Sequence, residues 1–150
     1  MAASRRPGSP RVPPRAAERL DRVVARVLRW ERARYTRVEL TLFDAAAMRR
    51  LNRRATGRRG LTDVIAFALP QPDGGVLGDV YICPDAAQQY VRRAGTDGGG
   101  VFDLELVRLA VHGTLHVLGY DHPDGPGRTR SRMWLVQERY VRRLLAARRR

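Results

Sequence analysis

The chain has 150 residues, room for one domain with a real core, because a domain of this size buries roughly 68–70% of the surface that its unfolded chain exposes. Hydrophobic residues make up 43%, yet no apolar run approaches the roughly 20 residues that cross a bilayer, and the single cysteine, Cys83, rules out an internal disulfide and suits a reducing, cytosolic compartment. The 29 basic residues, every one of them Arg, face 15 acidic ones for a formal net charge of +14, and that excess makes a polyanion, nucleic acid first, the expected partner.

The chain divides into a disordered basic tail over 1–14, one domain over 15–147 and a short basic tail over 148–150. The first tail is rich in Pro and small residues and lacks the apolar stretch of a secretory signal. After a Pro pair suited to a helix start, Leu20, Val23, Val24, Val27, Leu28 and Trp30 recur at helical spacing to about Glu31. From Tyr35 to Phe43, Val38, Leu40 and Leu42 alternate with Glu39 and Thr41, the period of a half-buried strand. Asp44 then caps a helix that runs to about Arg54 and stops before Gly57 and the basic loop Arg58-Arg59-Gly60.

Val64 to Phe67 and Val80 to Ile82 are short apolar runs either side of a turn over Pro70–Gly75, a plausible hairpin, with Cys83 a small buried filler at its end. Asp85 to Arg93 reads as a short helix, and Gly95 to Gly100 as a flexible connection. A longer helix starts with Asp103 as N-cap and carries Leu104, Val107, Val111, Leu115 and Leu118 on an apolar stripe up to Gly119. The last helix, roughly Ser131 to Ala147, buries Leu135, Val136, Tyr140, Leu144 and Leu145. The fold class expected is α+β, a small mixed sheet of three to four strands packed with about five helices.

All three histidines fall within one short stretch, His112 to His122. His112 and His116 are four apart on a helix, so their rings emerge one turn apart on the same face. Gly119 tolerates the left-handed conformation that ends a helix, which lets the chain reverse and bring His122 to the same point. Three protein ligands with a fourth position left for water make the open arrangement of a catalytic zinc site, so one zinc ion per chain is expected at His112, His116 and His122. The spacing matches the long metzincin pattern except that Gly113 stands where the protease needs its Glu base, which argues against a peptidase. Asp121 could steer a ligand imidazole or serve a local turn, with the turn role favoured.

The stretch His112 to His122 resembles the HG-x-LH-x-x-GYDH signature of the YbeY endoribonuclease family, with Thr114, Val117 and Leu118 in its variable positions. The resemblance extends to Leu51-Asn52-Arg53, to Thr62 through Phe67, to Leu77 through Ile82 with Pro84, and to Met133 and Glu138, covering roughly Val38 to Leu145. It implies a zinc-dependent, single-strand-specific endoribonuclease of the bacterial cytoplasm that works in maturation of small-subunit ribosomal RNA and in ribosome quality control. Single-stranded ribosomal RNA and the small ribosomal subunit would be its partners, with no membrane. The family usually carries Tyr-Arg after the Asn-Arg pair, its Arg thought to be catalytic, and here Ala55 and Thr56 hold those places. The guanidinium is expected to have moved to Arg58, with Arg54 as second choice, where it would stabilise transition-state charge through paired hydrogen bonds. Two other readings compete, a zinc-stabilised ribosome-binding module without cleavage and a metallopeptidase with an unusual base.

Overall fold

The computed structural model describes residue 12, residues 15–95 and residues 100–149. Most of the expected N-terminal tail, the Pro pair, residues 96–99 of the glycine-rich connection and the last residue of the C-terminal tail lie outside the described residues. The chain order is α1 (Ala16–Trp30), β1 (Arg37–Leu42), α2 (Ala45–Thr56), β2 (Val64–Pro70), β3 (Val76–Ile82), α3 (Pro84–Arg93), α4 (Val101–Val117), a 3-10 turn (Arg128–Arg130) and α5 (Arg132–Arg148). This is the α+β class that the sequence indicates, with a three-stranded mixed sheet and five α-helices among the described residues.

The sheet order is β1-β3-β2. β1 lies parallel to β3, with Leu40 opposite Val80, and β2 lies antiparallel to β3, with Ala66 opposite Val80. The hairpin closes where Gln71 N–H donates to the Gly75 carbonyl at 2.8 Å and Gly74 N–H to the Gln71 carbonyl at 3.1 Å. Both strands of the hairpin are longer than their apolar runs, because their turn-proximal ends pair through the backbone while leaving Leu69 and Leu77 exposed, and burial pattern says nothing about such pairing.

α4 is the axis of the core. The residues Glu105, Leu106, Val107, the run 109–115 and Val117 are buried, so the helix is covered on nearly every side rather than along one stripe, and Leu104 and Leu118 are only partly buried. The reason is its position: α1, α3, α5 and the sheet all pack against it. Its start also differs from expectation. The helix opens at Val101, after Gly100 at φ 82°, and Asp103 sits in the first turn, 3.5 Å from Arg19 of α1, rather than at the cap.

Two glycines let α4 press onto β3. A Cβ at Gly113 would come 2.5 Å from Val80 Cγ1, and one at Gly78 would collide with Val117, so neither position has room for a side chain. Other local signals mostly hold as read. Asp44 accepts from Ala47 N–H at 2.8 Å and Gly57 at φ 71° ends α2, whereas α3, expected from Asp85, opens one residue earlier at Pro84. On α5, Ser131 is the cap and accepts from Trp134 N–H at 3.2 Å. Its buried side is Met133, Val136, Gln137, Val141 and Leu144, while Leu135 is 57% exposed, so the stripe is turned by about one residue from the expected one. Cys83 is buried, as a filler should be.

Candidate metal centre

The geometry of the histidines starts at the end of α4. Gly119, at φ 95°, donates its N–H to the His116 carbonyl, and Tyr120 N–H reaches back to the Leu115 carbonyl, both at 3.0 Å. That pair of bonds is a Schellman motif, which satisfies the last carbonyls of the helix and reverses the chain. The reversal aims the Tyr120 carbonyl at the His116 ring, where His116 Nδ1–H donates to it at 3.0 Å. It also carries His122 back towards the helix. The ring centroids lie 4.6 Å apart for His112 and His116, 5.0 Å for His112 and His122, and 5.1 Å for His116 and His122.

Each ring is oriented through the same atom. His112 Nδ1–H donates to Gln137 Oε1 at 2.7 Å, and His122 Nδ1–H donates to the Pro123 carbonyl at 3.1 Å. With every Nδ1 facing an acceptor oxygen, every ring holds its proton there and keeps the Nε2 lone pair free. One ligand atom from each of the three lies within 4.8 Å of the other two, so the donor set fits a single metal ion held by three neutral imidazoles. Burial, partly offset by the Gln137 contact, lowers the His112 pKa to about 4, and burial lowers that of His116 as well, so both rings stay neutral and competent to ligate at neutral pH.

Behind His112 stands a polar brace that sequence reasoning missed. Gln137 of α5 is buried, and its amide N–H donates to Glu138 Oε1 at 3.1 Å, which leaves its carbonyl to face the histidine. Glu138 in turn takes Arg108 Nε–H at 2.7 Å and Nη2–H at 3.3 Å, and Arg108 Nη1–H donates to Glu105 at 3.1 Å. Burial pulls the Glu138 carboxyl up, but the hydrogen bonds from Arg108 and Gln137 outweigh it and hold the group below the usual carboxylate range. Burial dominates at Glu105 and raises its pKa despite Arg108. A charged chain thus runs from α4 to α5 and back to a ligand ring. Polar residues at buried helical positions were the available signal, since Gln137 falls in step with Met133 and Val141.

The histidines line an open cleft of about 660 Å³ with residues 58–66, Asn52, Thr56, Asp124 and Arg128. Of the two arginines expected to assist, Arg58 lines this cleft and Arg54 does not. The loop that carries Arg58 is held from below by Asn52. Thr56 Oγ1–H lies 2.8 Å from the Asn52 carbonyl and 2.9 Å from Asn52 Oδ1, Arg58 N–H donates to Thr56 Oγ1 at 3.1 Å, and Asn52 Nδ2–H donates to the Gly60 carbonyl at 3.3 Å. Thr56 therefore braces the loop from the position where the resemblance leads one to look for an arginine.

Arg128, which sequence reasoning also missed, lines the cleft and the tightly packed space between His112, His122 and α5, and its charge acts on His112, His116 and Asp63. Asp63 faces the same cleft, its carboxyl pushed up by burial. Asp121 serves the turn, accepting from His122 N–H at 2.8 Å. Gly113 explains the absent protease base in steric terms, because a side chain there would run into Val80.

Comparison with known proteins places these features in a group. The family model described as Endoribonuclease YbeY matches residues 10–145. The Endoribonuclease YbeY of Micrococcus luteus is 37% identical over 143 residues, covering 89% of this chain and 85% of that protein. Those of Mycolicibacterium smegmatis and Desulfitobacterium hafniense are 38% and 44% identical over 98 and 97 residues, each covering 58% of this chain, and 53% and 59% of their own lengths. Other such relatives are spanned over about half to two thirds of their length, among them those of Mycolicibacterium vanbaalenii at 51% and Mycobacterium marinum at 64%. The solution structure of TM1509 from Thermotoga maritima superposes with a TM-score of 0.62 at 26% identity, covering 91% of this chain and 86% of that one.

Proposed function

We propose, from the premise that this chain belongs to the YbeY endoribonuclease family, that it is a zinc-dependent endoribonuclease cutting single-stranded RNA. Its substrate on this reading is ribosomal RNA, met on the small ribosomal subunit in the cytoplasm during maturation and quality control. One observation carries the proposal: three imidazoles, each with its Nδ1 engaged, converge in an arginine-rimmed cleft where the protease base has no space. Among the described residues no helix is long and apolar enough to cross a membrane.

When bound, a zinc ion supplies Lewis acidity, lowering the pKa of water to about 7 and polarising a phosphoryl oxygen. The chain's own contribution is to hold His112 and His116 neutral, to orient all three rings through Nδ1, and to draw the polyanion in with Arg58, Arg59 and Arg128. Arg58 is our candidate for the guanidinium that meets the charge developing on the phosphate. Arg128 is the second candidate, favoured by the reach of its charge to His112 and His116.

The test is metal analysis of the purified protein coupled to cleavage of a single-stranded ribosomal RNA fragment. Wild type should carry about one zinc per chain and cut the RNA, and the His112→Ala, His116→Ala double variant should do neither. A wild type that carries zinc, loses thermal stability on chelation and never cuts RNA would replace this reading with the metal-stabilised ribosome-binding module, which the Gln137 tie between α4 and α5 makes physically sensible. Arg58→Ala and Arg128→Ala then apportion the guanidinium role: the one that lowers turnover while leaving RNA affinity near wild type is the group that acts in the transition state.

A further inference from the structure

A second arginine-rimmed groove lies away from the histidines. Arg19, Arg22, Arg26 and Arg29 follow at intervals of three, four and three residues, which aligns them on one flank of α1 over about 15 Å of helix. α5 faces them with Arg143 and Arg148. Between the two helices is a recess of about 270 Å³ floored by Val23, Val107 and Leu144, and past Arg26 and Ala147 it continues to Trp30, whose indole ring lies 4.4 Å beneath the Arg143 guanidinium. Among the described residues no carboxylate lines either recess, and no residue of either lines the metal cleft. Among the described residues only Arg19 of this set has an ion-pair partner, Asp103. Glu31, the acidic group at the far end of α1, is occupied by the hydroxyls of Tyr120 and Tyr140.

Charge accounting makes the groove more than a solvated helix face. The metal cleft holds three arginines against two aspartates, so it explains little of a net charge of +14. We propose that the α1–α5 groove is a second track for RNA, gripping the sugar–phosphate backbone at a distance from the metal centre. A linear file of guanidiniums, each a planar fork of donors, suits the repeated phosphates of an extended strand. The apolar side of α1 is spent on the core through Leu20, Val23, Val24 and Val27, so the helix has nothing to insert into a lipid surface. Only the choice of RNA among polyanions rests on the function proposed above; the track itself does not.

The experiment is fluorescence anisotropy of a labelled, nuclease-resistant single-stranded RNA (2′-O-methyl, phosphorothioate-linked) with the full, metal-loaded chain, so that no cleavage occurs, over a series of salt concentrations. The variant is Arg22→Gln, Arg26→Gln, Arg29→Gln, and the control removes the same charge from exposed arginines outside both clefts, Arg34→Gln, Arg37→Gln, Arg139→Gln. The track variant should bind about tenfold or more weakly, and its salt dependence should flatten by about two in the log–log slope, since each phosphate contact on a single strand contributes about 0.7. The control should stay within about threefold of wild type. Equal losses in the two variants, or wild-type binding by the track variant, would overturn the proposal, as would tighter binding to phosphatidylserine vesicles than to RNA through the same three arginines. Because nothing is cut in this measurement, a protein that lacked ribonuclease activity would fail the earlier test and could still pass this one.

Discussion

The metal cleft and the α1–α5 groove both present arginines, yet they are built on opposite principles. α4 contributes to each: Val107 floors the groove, while His112 and His116, five and nine residues on, emerge about 140° and 180° further round the helix. In the cleft every ligand ring is tied through Nδ1 to a fixed oxygen, and His112 is backed by Gln137, Glu138, Arg108 and Glu105. In the groove Arg22, Arg26, Arg29 and Arg148 sit exposed above an apolar floor, with no polar support behind them among the described residues. Chemistry that needs atoms fixed to fractions of an ångström requires the first arrangement. Attraction to a repeating charge needs only the second, where a long flexible side chain costs little and screening by salt sets the strength.

The comparison can be broken first at Gly113. Gly113→Ala should destabilise the protein by about 1–3 kcal/mol, because the added methyl meets Val80 across a closely packed helix–sheet contact. Thermal unfolding checks it, and an unchanged midpoint would show that α4 can move away from β3. The brace is tested next. Gln137→Ala should weaken zinc binding about 10- to 100-fold in competition with a chelating dye, while Gln137→Glu, which keeps the acceptor facing His112, should recover most of that loss. An affinity indifferent to Gln137 would reduce the brace to ordinary packing.

A further effect is expected with pH in the metal-free protein. His112 has a folded pKa of about 4 against an ordinary value of 6.5, so the unfolded chain takes up a proton that the folded one refuses. Stability is therefore intact above about pH 6.5 and falls as pH drops from there to about 4, by an amount on the order of 3 kcal/mol, with His116 adding in the same direction. Denaturant titrations at stepped pH, with His112→Gln as the reference, measure it. At the lower end of the scale, the triple glutamine variant of the groove should shift stability by no more than about 0.5 kcal/mol, whatever it does to RNA binding. A larger shift would mean that those arginines hold α1 to α5.

Much of this molecule could be read from its residue order because the signals are local. Alternation over Val38 to Leu42, the Asp44 and Ser131 caps, and the four-residue step from His112 to His116 each depend on neighbours within a turn or two. So does the reversal at Gly119, where a positive φ is needed and glycine supplies it. Burial of α4 on nearly all sides was less legible, since apolar residues at one spacing indicate one buried face, and only three packed helices and a sheet reveal the rest. Leu135 shows the same limit, for a leucine in step with a helical stripe can still point to solvent when the partner helix lies one residue further round.

By itself the sequence determined the element order, the class of the fold, the three histidines as a set, and an excess of positive charge that asks for a polyanion. Tertiary structure alone decided which side chains stand behind and beside them. Gln137 and Arg128 follow the histidines by distances along the chain that carry no periodic signal, and they reach the site only because α5 and the turn before it fold back over α4. Arg58 and Arg54 are near neighbours in the chain, but the clamp of Asn52 and Thr56 on the loop sets Arg58 on the cleft wall, while Arg54 does not reach it. Contacts between residues distant in sequence are fixed by packing, and packing is a property of the whole chain.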